Sequence, residues 1–244
     1  MKKILLLSFI TMLSNAHAED EKSWRASVGL GMAIKKNLRV GNTYEHMDKK
    51  VIVKPIPILT GNIGRFSLGA QGISFRAFGE RMLEASVFIK REGDRYQGLG
   101  MTPRKESQFV GVSAKFFKYG LNISKDINGK SKGMITQFSY GELFMISEGF
   151  VLRGGLSVDW LDDKYAEYYY GVRKHEATAT RNEYHLKNYL QPGINILPIY
   201  KLSERVSSMA VLGAKFIPKS VRNSPTMNGD KFEFGGFAGI SYTF

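Results

Sequence analysis

The sequence of 244 residues is strongly basic, with 35 lysines and arginines against 22 aspartates and glutamates, and it contains no cysteine. The absence of cysteine excludes a fold held together by disulfide bonds. The net charge of +13 indicates anionic partners and says little about the fold.

The N-terminus has the three-part pattern of a cleavable signal peptide. Lys2 and Lys3 precede an apolar run, and Ala16-His17-Ala18 follows it. The run is about ten residues long, whereas a transmembrane helix needs roughly 20. We therefore predict a signal peptide over residues 1–18 and an exported domain over residues 19–244.

Apolar and polar residues alternate along most of the exported domain. In residues 150–160 one face carries Leu152, Leu156 and Trp160, and the other carries Arg153 and Asp159. Segments 23–34 and 232–244 follow the same rule. Alternation over about ten residues, with aromatic residues at the segment ends, is typical of strands that separate lipid from a polar lumen.

The pattern predicts an all-β fold for residues 19–244, a closed up-and-down antiparallel transmembrane β-barrel of the Gram-negative outer membrane. We predict about 12 strands, with ten as the alternative, because single-chain bacterial barrels have even strand numbers. The predicted strands are 23–34, 50–60, 64–70, 72–78, 83–91, 107–117, 119–127, 131–144, 149–161, 185–200, 205–217 and 232–244.

The lengths of the connections predict which end of the barrel faces outward. With a hairpin at Gln71-Gly72, the long connections 35–49, 92–106, 162–184 and 218–231 fall on one side, as extracellular loops do. Pro55 and Pro57 interrupt the second strand, and their missing N–H groups would point at the same neighbour. We expect a locally open or bulged seam there.

Charged residues fall on the inward face of the predicted strands. They line a water-filled channel, which a net positive wall would make selective for anions, or they form a salt-bridged plug. The predicted lumen-facing charges are Arg25, Lys54, Glu84, Lys90, Lys115, Asp126, Arg153, Asp159, Lys187, Lys215 and Glu233.

The final strand ends in a pattern similar to the signal that the outer-membrane assembly machinery recognises. Gly239, Tyr242 and the terminal Phe244 fit this signal, while Phe237 stands where a polar residue is more usual. We therefore predict that the assembly machinery is a partner.

The mature chain has no recognisable catalytic or metal-binding pattern. Barrel hydrolases place His and Ser two residues apart on one strand face, but His46, His175 and His185 have no Ser at that spacing. No paired-histidine or EF-hand spacing occurs either. We predict a protein that is not an enzyme and has no cofactor or metal.

One segment carries an acidic pair followed by a tyrosine-rich Tyr-Gly-Val motif. It resembles the signature of the MltA-interacting protein (MipA/OmpV) family, and the Pro55-x-Pro57 pair and Ser224-Pro225 match as well. The motif residues are Asp162, Asp163, Tyr165, Tyr169, Tyr170, Gly171 and Val172.

The resemblance implies an outer-membrane barrel that acts as a scaffold for a murein hydrolase and a murein synthase. Two alternatives remain open, a small porin-like channel with a net positive lumen and a surface adhesin. Basic residues in the outer loops predict contacts with outer-membrane lipid and with the phosphates of lipopolysaccharide. Export from the cytoplasm excludes nucleic acid as a partner.

Overall fold

The computed structural model describes residues 24–44, 49–69, 72–80 and 82–244. The predicted signal peptide, His46 and Gln71 lie outside these ranges. Neither helix in the described ranges is long and apolar enough to cross a membrane.

The described strands form a closed antiparallel barrel in which each strand pairs with its neighbours in sequence and the last pairs with the first. This confirms the predicted barrel of 12 strands over the alternative of ten. The strands are β1 (Trp24–Lys36), β2 (Val51–Ile63), β3 (Phe66–Gly69), β4 (Gly72–Glu80), β5 (Leu83–Glu92), β6 (Ser107–Phe116), β7 (Tyr119–Asp126), β8 (Met134–Ser147), β9 (Phe150–Leu161), β10 (Tyr189–Lys201), β11 (Val206–Phe216) and β12 (Phe232–Thr243).

Side chains alternate between lipid and lumen as the sequence pattern predicts. On β9, Leu156 and Val158 are exposed on the outer surface, whereas Gly155 and Asp159 are buried inside the barrel. Period-two alternation places successive side chains on opposite faces of a strand. The same rule assigns the inward residues of the other strands.

Short turns join the strands at one end of the barrel, and the longest loops leave from the other. Phe117-Lys118, for example, is the whole connection between β6 and β7, and Phe117 has a positive φ of 54°. The four longest loops at the opposite end are 37–50, 93–106, 162–188 and 217–231, and the shorter connection 127–133 lies at the same end. By the usual asymmetry of outer-membrane barrels, the loop end is extracellular.

Two strands begin three or four residues later than predicted because loop contacts override the local pattern. β10 begins at Tyr189 rather than at 185, since the Leu186 N–H donates to Glu167 Oε2 at 2.9 Å and Leu186 is buried among loop residues. β8 begins at Met134 rather than at 131, since Asp126 Oδ2 accepts bonds from the Ser131 N–H at 2.6 Å and from the following N–H.

The seam at Pro55 and Pro57 is open on one side and shows no bulge. β2 pairs with β1 without a register shift, and β3 pairs only with Gly61, Asn62 and Ile63. In the described ranges, residues 51–60 therefore form a free edge. Because β2 pairs with β1 without interruption, the side on which both prolines lack an N–H group must be this free edge. An unpaired N–H donor facing lipid there would be costly.

Candidate functional site

The loop 162–188 folds into the extracellular end of the barrel around helix α1 (Asp163–Tyr170). The Asp162 carboxylate caps the helix by accepting a bond from the Tyr165 N–H at 2.9 Å. Such a cap satisfies one of the free N–H groups of the first turn. Asp163 is exposed and accepts a bond from the adjacent Lys164 N–H at 2.9 Å, so the two acids of the motif play different roles.

Tyr169 anchors this helix to two neighbouring strands. Its buried hydroxyl lies 3.1 Å from the carbonyl oxygens of Glu92 and Lys105 and accepts a bond from the Ser107 N–H at 3.1 Å. Gly93 has a φ of +99°, and a Cβ there would lie 2.1 Å from the Tyr169 ring. The tyrosine therefore requires glycine at position 93.

An apolar cluster lies at the outer end of the lumen and includes inward residues of β6, β8, β9 and β10. It joins them to residues of the loops and of the short helix α2 (Lys219–Arg222). We call this cluster, with the loop 162–188, the extracellular plug. Its buried members are Leu38, Phe109, Ile135, Leu161, Tyr165, Ala166, Tyr169, Leu186, Tyr189, Ile217, Val221 and Met227.

Arg39, in the loop after β1, contacts residues of the three other long extracellular loops. Its buried guanidinium lies between the rings of Tyr96 and Tyr170, 4.9 Å and 4.4 Å from their centres. It also donates to Thr226 Oγ1 at 3.1 Å and lies 3.8 Å from an Asp94 carboxylate oxygen. Burial raises the pKa of Tyr170 to about 12, so the ring stays neutral beside this cation.

Arg104 and Glu176 form the most deeply buried ion pair of the plug. The Arg104 guanidinium also donates to the Thr102 and Gly171 carbonyl oxygens. Burial alone would raise the pKa of Glu176, but bonds from Arg104 and from the Arg173 and Thr102 N–H groups hold it at about 2. The carboxylate is therefore charged at neutral pH, and it joins the loops 93–106 and 162–188.

The remaining motif residues hold the end of α1. Gly171 packs where a Cβ would lie 2.5 Å from the Glu167 carbonyl oxygen, so a larger residue would shift the helix end. Val172 is fully buried and pairs with Tyr184 across the loop. The motif is therefore a structural element of the plug.

Below the plug, several of the predicted lumen charges form ion pairs. Lys215 Nζ lies 2.9 Å from Asp159 Oδ2, and Gln137 Nε2 donates to Asp159 Oδ1 at 2.7 Å. Glu233 accepts from Lys35 at 2.7 Å. The first group links β8, β9 and β11, and the second pair links the neighbouring strands β12 and β1.

Two of the predicted lumen-facing charges, one base and one acid, contact neighbours on their own strand or turn. Lys90 pairs with Glu92 of the same strand at 3.0 Å. Asp126 lies at the end of β7 and holds the turn before β8. Asp126 therefore organises a turn and takes no part in an ion pair across the barrel in the described chain.

The other predicted lumen charges lie at both ends of the barrel. Lys54 is near the extracellular end of β2 and Glu84 and Lys115 are near the periplasmic end; all three are half-buried on inward faces, whereas Arg25 is exposed at the start of β1. The prediction for Lys187 is wrong, because this residue is exposed in the loop before β10.

Arg153 occupies the inward face of β9 without an acidic partner in the described ranges. Its Nε atom is buried and has no hydrogen-bond acceptor. The nearest residues in register are Leu143 and Leu197 on the neighbouring strands.

The residues of the predicted assembly signal close the barrel. The Phe244 N–H donates to the Ala26 carbonyl oxygen at 3.0 Å, which extends the pairing of the last strand with the first. The Tyr242 hydroxyl accepts a bond from Arg205 at 3.1 Å on the outer surface. A Cβ at Gly239 would lie 2.7 Å from the Leu30 carbonyl oxygen, so the close approach requires glycine.

The sequence analysis counted Arg39 and Arg104 among the basic loop residues expected to contact anionic lipid, but both are buried in the plug, and it did not single out Glu176. Arg104 and Glu176 are 72 positions apart and belong to different loops. No spacing rule connects them, and only the glycine and tyrosine pattern around 165–171 indicated that this loop is ordered.

Comparison with known proteins places this architecture among outer-membrane proteins. A family model described as MltA-interacting protein MipA matches residues 22–244. The 24 kDa outer membrane protein of Pasteurella multocida (strain Pm70) is 23% identical over 219 residues, which cover 82% of this chain and 85% of that protein. The MltA-interacting protein of Escherichia coli (strain K12) is 24% identical over 263 residues, which cover 100% of both.

Solved structures of outer-membrane barrels resemble the fold at low sequence identity. The NanC porin has a TM-score of 0.44 and 7% identity, with 88% of this chain and 98% of that chain covered. A loop-deletion mutant of OmpT from Vibrio cholerae has a TM-score of 0.37 and 8% identity, with 90% and 99% covered.

Proposed function

The chain belongs to the MltA-interacting protein (MipA) family, and from this membership we propose that it is a non-enzymatic scaffold of the outer membrane. It would hold a murein hydrolase, the host's MltA, close to a murein synthase. The relatives named for MltA support the choice of hydrolase. Export through a cleaved signal peptide at residues 1–18 is part of the proposal.

The packed extracellular end is the observation that carries the proposal. A conducting pore needs a continuous polar path, but the plug packs apolar side chains and the buried Arg104–Glu176 pair into the outer lumen, and the Lys215–Asp159 pair lies below it. This favours a barrel that works through its surfaces over the porin-like alternative. The periplasmic rim is the surface that a murein enzyme can reach.

The outer surface supports a second kind of partner, the lipopolysaccharide of the surrounding leaflet. Exposed cations at the extracellular ends of β2 and β5 include Lys49, Lys50 and Arg91. Each such charge near an anionic membrane surface contributes about 1 kcal/mol. We propose that they contact the phosphates of the glycolipid.

Binding between purified proteins tests the scaffold function. The full chain in lipid nanodiscs is titrated with the host's purified MltA, and the NanC porin in identical nanodiscs is the control. We expect saturable binding at about micromolar concentration, equivalent to roughly 8 kcal/mol, to this protein alone. Equal or absent binding to both barrels would contradict the scaffold function.

A further inference from the structure

One side of the periplasmic lumen is apolar, although the lumen of an outer-membrane barrel is normally polar. Met145, Val151, Ile199 and Met209 are successive cross-strand neighbours on β8, β9, β10 and β11. Met145 shares its strand face with the buried lumen residue Gln137, and alternation places the whole row on the inner wall.

A second row lies next to the first, farther from the periplasm. It runs from Leu143 through Arg153, Leu197 and Val211 to Phe237 across five strands. The register of the pairs on either side, Ile196 with Leu212 and Ile199 with Met209, places Leu197 opposite Val211. Its last three members are buried with residues of β1 and β2. We call the nine residues of the two rows the mouth patch.

The β8 end of the mouth patch is exposed. Leu143 is 49% exposed and Met145 is 80% exposed, while the β10 to β12 end is packed. The patch is therefore packed at its β10 to β12 end and exposed at its β8 edge, which we call the open margin. Exposed apolar surface of this kind marks interaction sites, and methionine side chains adapt readily to a partner.

The open margin lies on the periplasmic side of the membrane boundary. Glu142, on the outer face of β8, accepts bonds from Lys118 Nζ and the Tyr140 hydroxyl at 2.6 Å. An ion pair on the lipid-facing side must lie at the interface, because charges inside the hydrocarbon are costly. Met145 is three residues closer to the turn, about 10 Å along the strand, and faces inward, away from lipid.

Arg153 gives the mouth patch its charge preference. It is the one charged side chain of the two rows, and its buried Nε has no acceptor in the part of the chain that the structure describes. A guanidinium is a permanent cation with five donors, and a buried donor without an acceptor is unfavourable. The mouth patch thus combines an apolar surface with a buried cation that a carboxylate of a partner would pair with.

The shape of the patch favours a polypeptide over a small amphiphile. The first row, the one nearer the periplasm, crosses four strands at about 4.8 Å spacing and is therefore roughly 14 Å wide. Its exposed margin opens directly to the periplasm. A small molecule is bound where a concave site encloses most of its surface. A protein segment can cover a broad wall and supply an acidic side chain.

We propose that the mouth patch binds a periplasmic segment of the scaffolded murein hydrolase, with apolar side chains on the two rows and an Asp or Glu at Arg153. This inference rests on the proposed scaffold function and assigns it a surface. The short periplasmic turns need not provide the interface, because the inner wall of the barrel does.

Cysteine accessibility tests the proposal, since the chain has no native cysteine. The Met145→Cys variant is labelled with a maleimide in opened native outer membranes and after purification into nanodiscs. The control is Met82→Cys, at a periplasmic turn outside the patch and 54% exposed. We expect labelling at 145 to be at least about tenfold slower in native membranes, as for a site bound tenfold above its dissociation constant, and labelling at 82 to be unchanged.

Purified MltA then identifies the occupant. Its addition to nanodiscs should protect position 145, and an Arg153→Gln substitution should raise the required concentration roughly tenfold, as loss of a buried charged contact does. Binding of MltA without protection would overturn the patch and leave the scaffold function intact. Protection in native membranes that MltA cannot reproduce would support the patch and contradict the proposed function.

Two further results would overturn the inference. Equal labelling rates at position 145 in native membranes and nanodiscs would show that nothing covers the patch. Protection restored by an outer-membrane lipid extract alone would assign the site to an amphiphile. Heat-modifiable migration of each variant on gels confirms that the barrel is folded.

Discussion

Arg104 and Glu176 form a buried bidentate pair, with Nη1–Oε1 and Nη2–Oε2 distances of 2.8 Å and 2.7 Å, between two extracellular loops. In the described ranges the loops 93–106 and 162–188 have no strand pairing with each other, and this pair joins them together with the bond from the Tyr169 hydroxyl to the Lys105 carbonyl oxygen and the bond from Arg181 to the Leu99 carbonyl oxygen.

Replacing Glu176 with Gln should loosen the plug. The substitution leaves the Arg104 guanidinium buried without a counter-charge, which costs roughly 3–5 kcal/mol. Hydrogen exchange of residues 162–188 should therefore accelerate. The matched control is Glu183→Gln, which removes only an exposed contact with His185, and an exposed pair contributes about 0–1 kcal/mol. Equal exchange in both variants would show that the buried pair does not hold the loop.

The plug should also lose stability in acid. The folded state holds the pKa of Glu176 at about 2, below its ordinary value of 4.5. A lowered pKa stabilises the folded state above pH 4.5, and that stabilisation disappears as the pH falls from 4.5 toward 2. Exchange of the loop should accelerate over this range in the native protein and change less in Glu176→Gln. A flat profile in the native protein would contradict the assignment.

The two acids of the family motif should respond differently to truncation. Asp162→Ala removes the cap on the Tyr165 N–H and should destabilise α1 by about 0.5–2 kcal/mol. Asp163→Ala removes an exposed side chain and should change the stability of α1 by less than about 0.5 kcal/mol. Thermal unfolding of the plug, followed by tyrosine fluorescence, measures both. A larger effect at 163 would mean that the motif serves a contact outside the chain.

Period-two alternation predicted the barrel because each strand needs only its own sequence to divide lipid from lumen. The strand containing Leu156 and Asp159 follows the pattern over most of its length, although Val151 at its periplasmic end is apolar and faces inward. Residues 185–188 did not, because Leu186 is held by the distant Glu167 rather than by a neighbouring strand. Lys187 was misplaced for that reason.

The lumen was predicted less well than the wall. Inward-facing charges indicate only the face they occupy, and their partners depend on register across strands. Lys215 therefore pairs with Asp159, whereas Arg153 on the same strand as Asp159 has no acid in register. The apolar rows were signalled only by Phe237, which departs from the usual polar residue near the end of the last strand.

The orientation of the barrel can be tested on whole cells. Ala177→Cys lies in an exposed part of the loop 162–188 and should react with an impermeant thiol reagent. Ser203→Cys, in the short connection after β10, is equally exposed and should stay unlabelled until the outer membrane is permeabilised. Labelling at 203 without labelling at 177 would invert the topology.

Deletion of Phe244 should slow the assembly of the barrel. The residue both ends the predicted recognition signal and donates to Ala26 at the closing pair of strands. Phe234→Ala is the matched control, an exposed aromatic residue on the outer face of the same strand. Heat-modifiable protein in outer-membrane fractions measures folding after a pulse of synthesis. Equal folding of the deletion variant and the control would remove the special role of the terminal residue.

Inside the barrel, removal of a paired charge should destabilise the fold more than removal of an unpaired charge. Lys215→Met leaves the Asp159 carboxylate buried with only Gln137 as its close partner, which should cost roughly 3–5 kcal/mol. Arg153→Met is the matched control, since removing this cation leaves no buried carboxylate without its partner. The substitution should change stability by less than about 1 kcal/mol. Urea unfolding in detergent measures both.

A double substitution completes the test, because a buried pair can be replaced more cheaply than it can be broken. Asp159→Asn combined with Lys215→Met removes both charges and should recover most of the stability that Lys215→Met loses. Additive losses would mean that the two residues do not interact in the folded barrel. A loss in Arg153→Met as large as that in Lys215→Met would show that the guanidinium has an acidic partner within the barrel, and it would remove the reason to expect a carboxylate from outside.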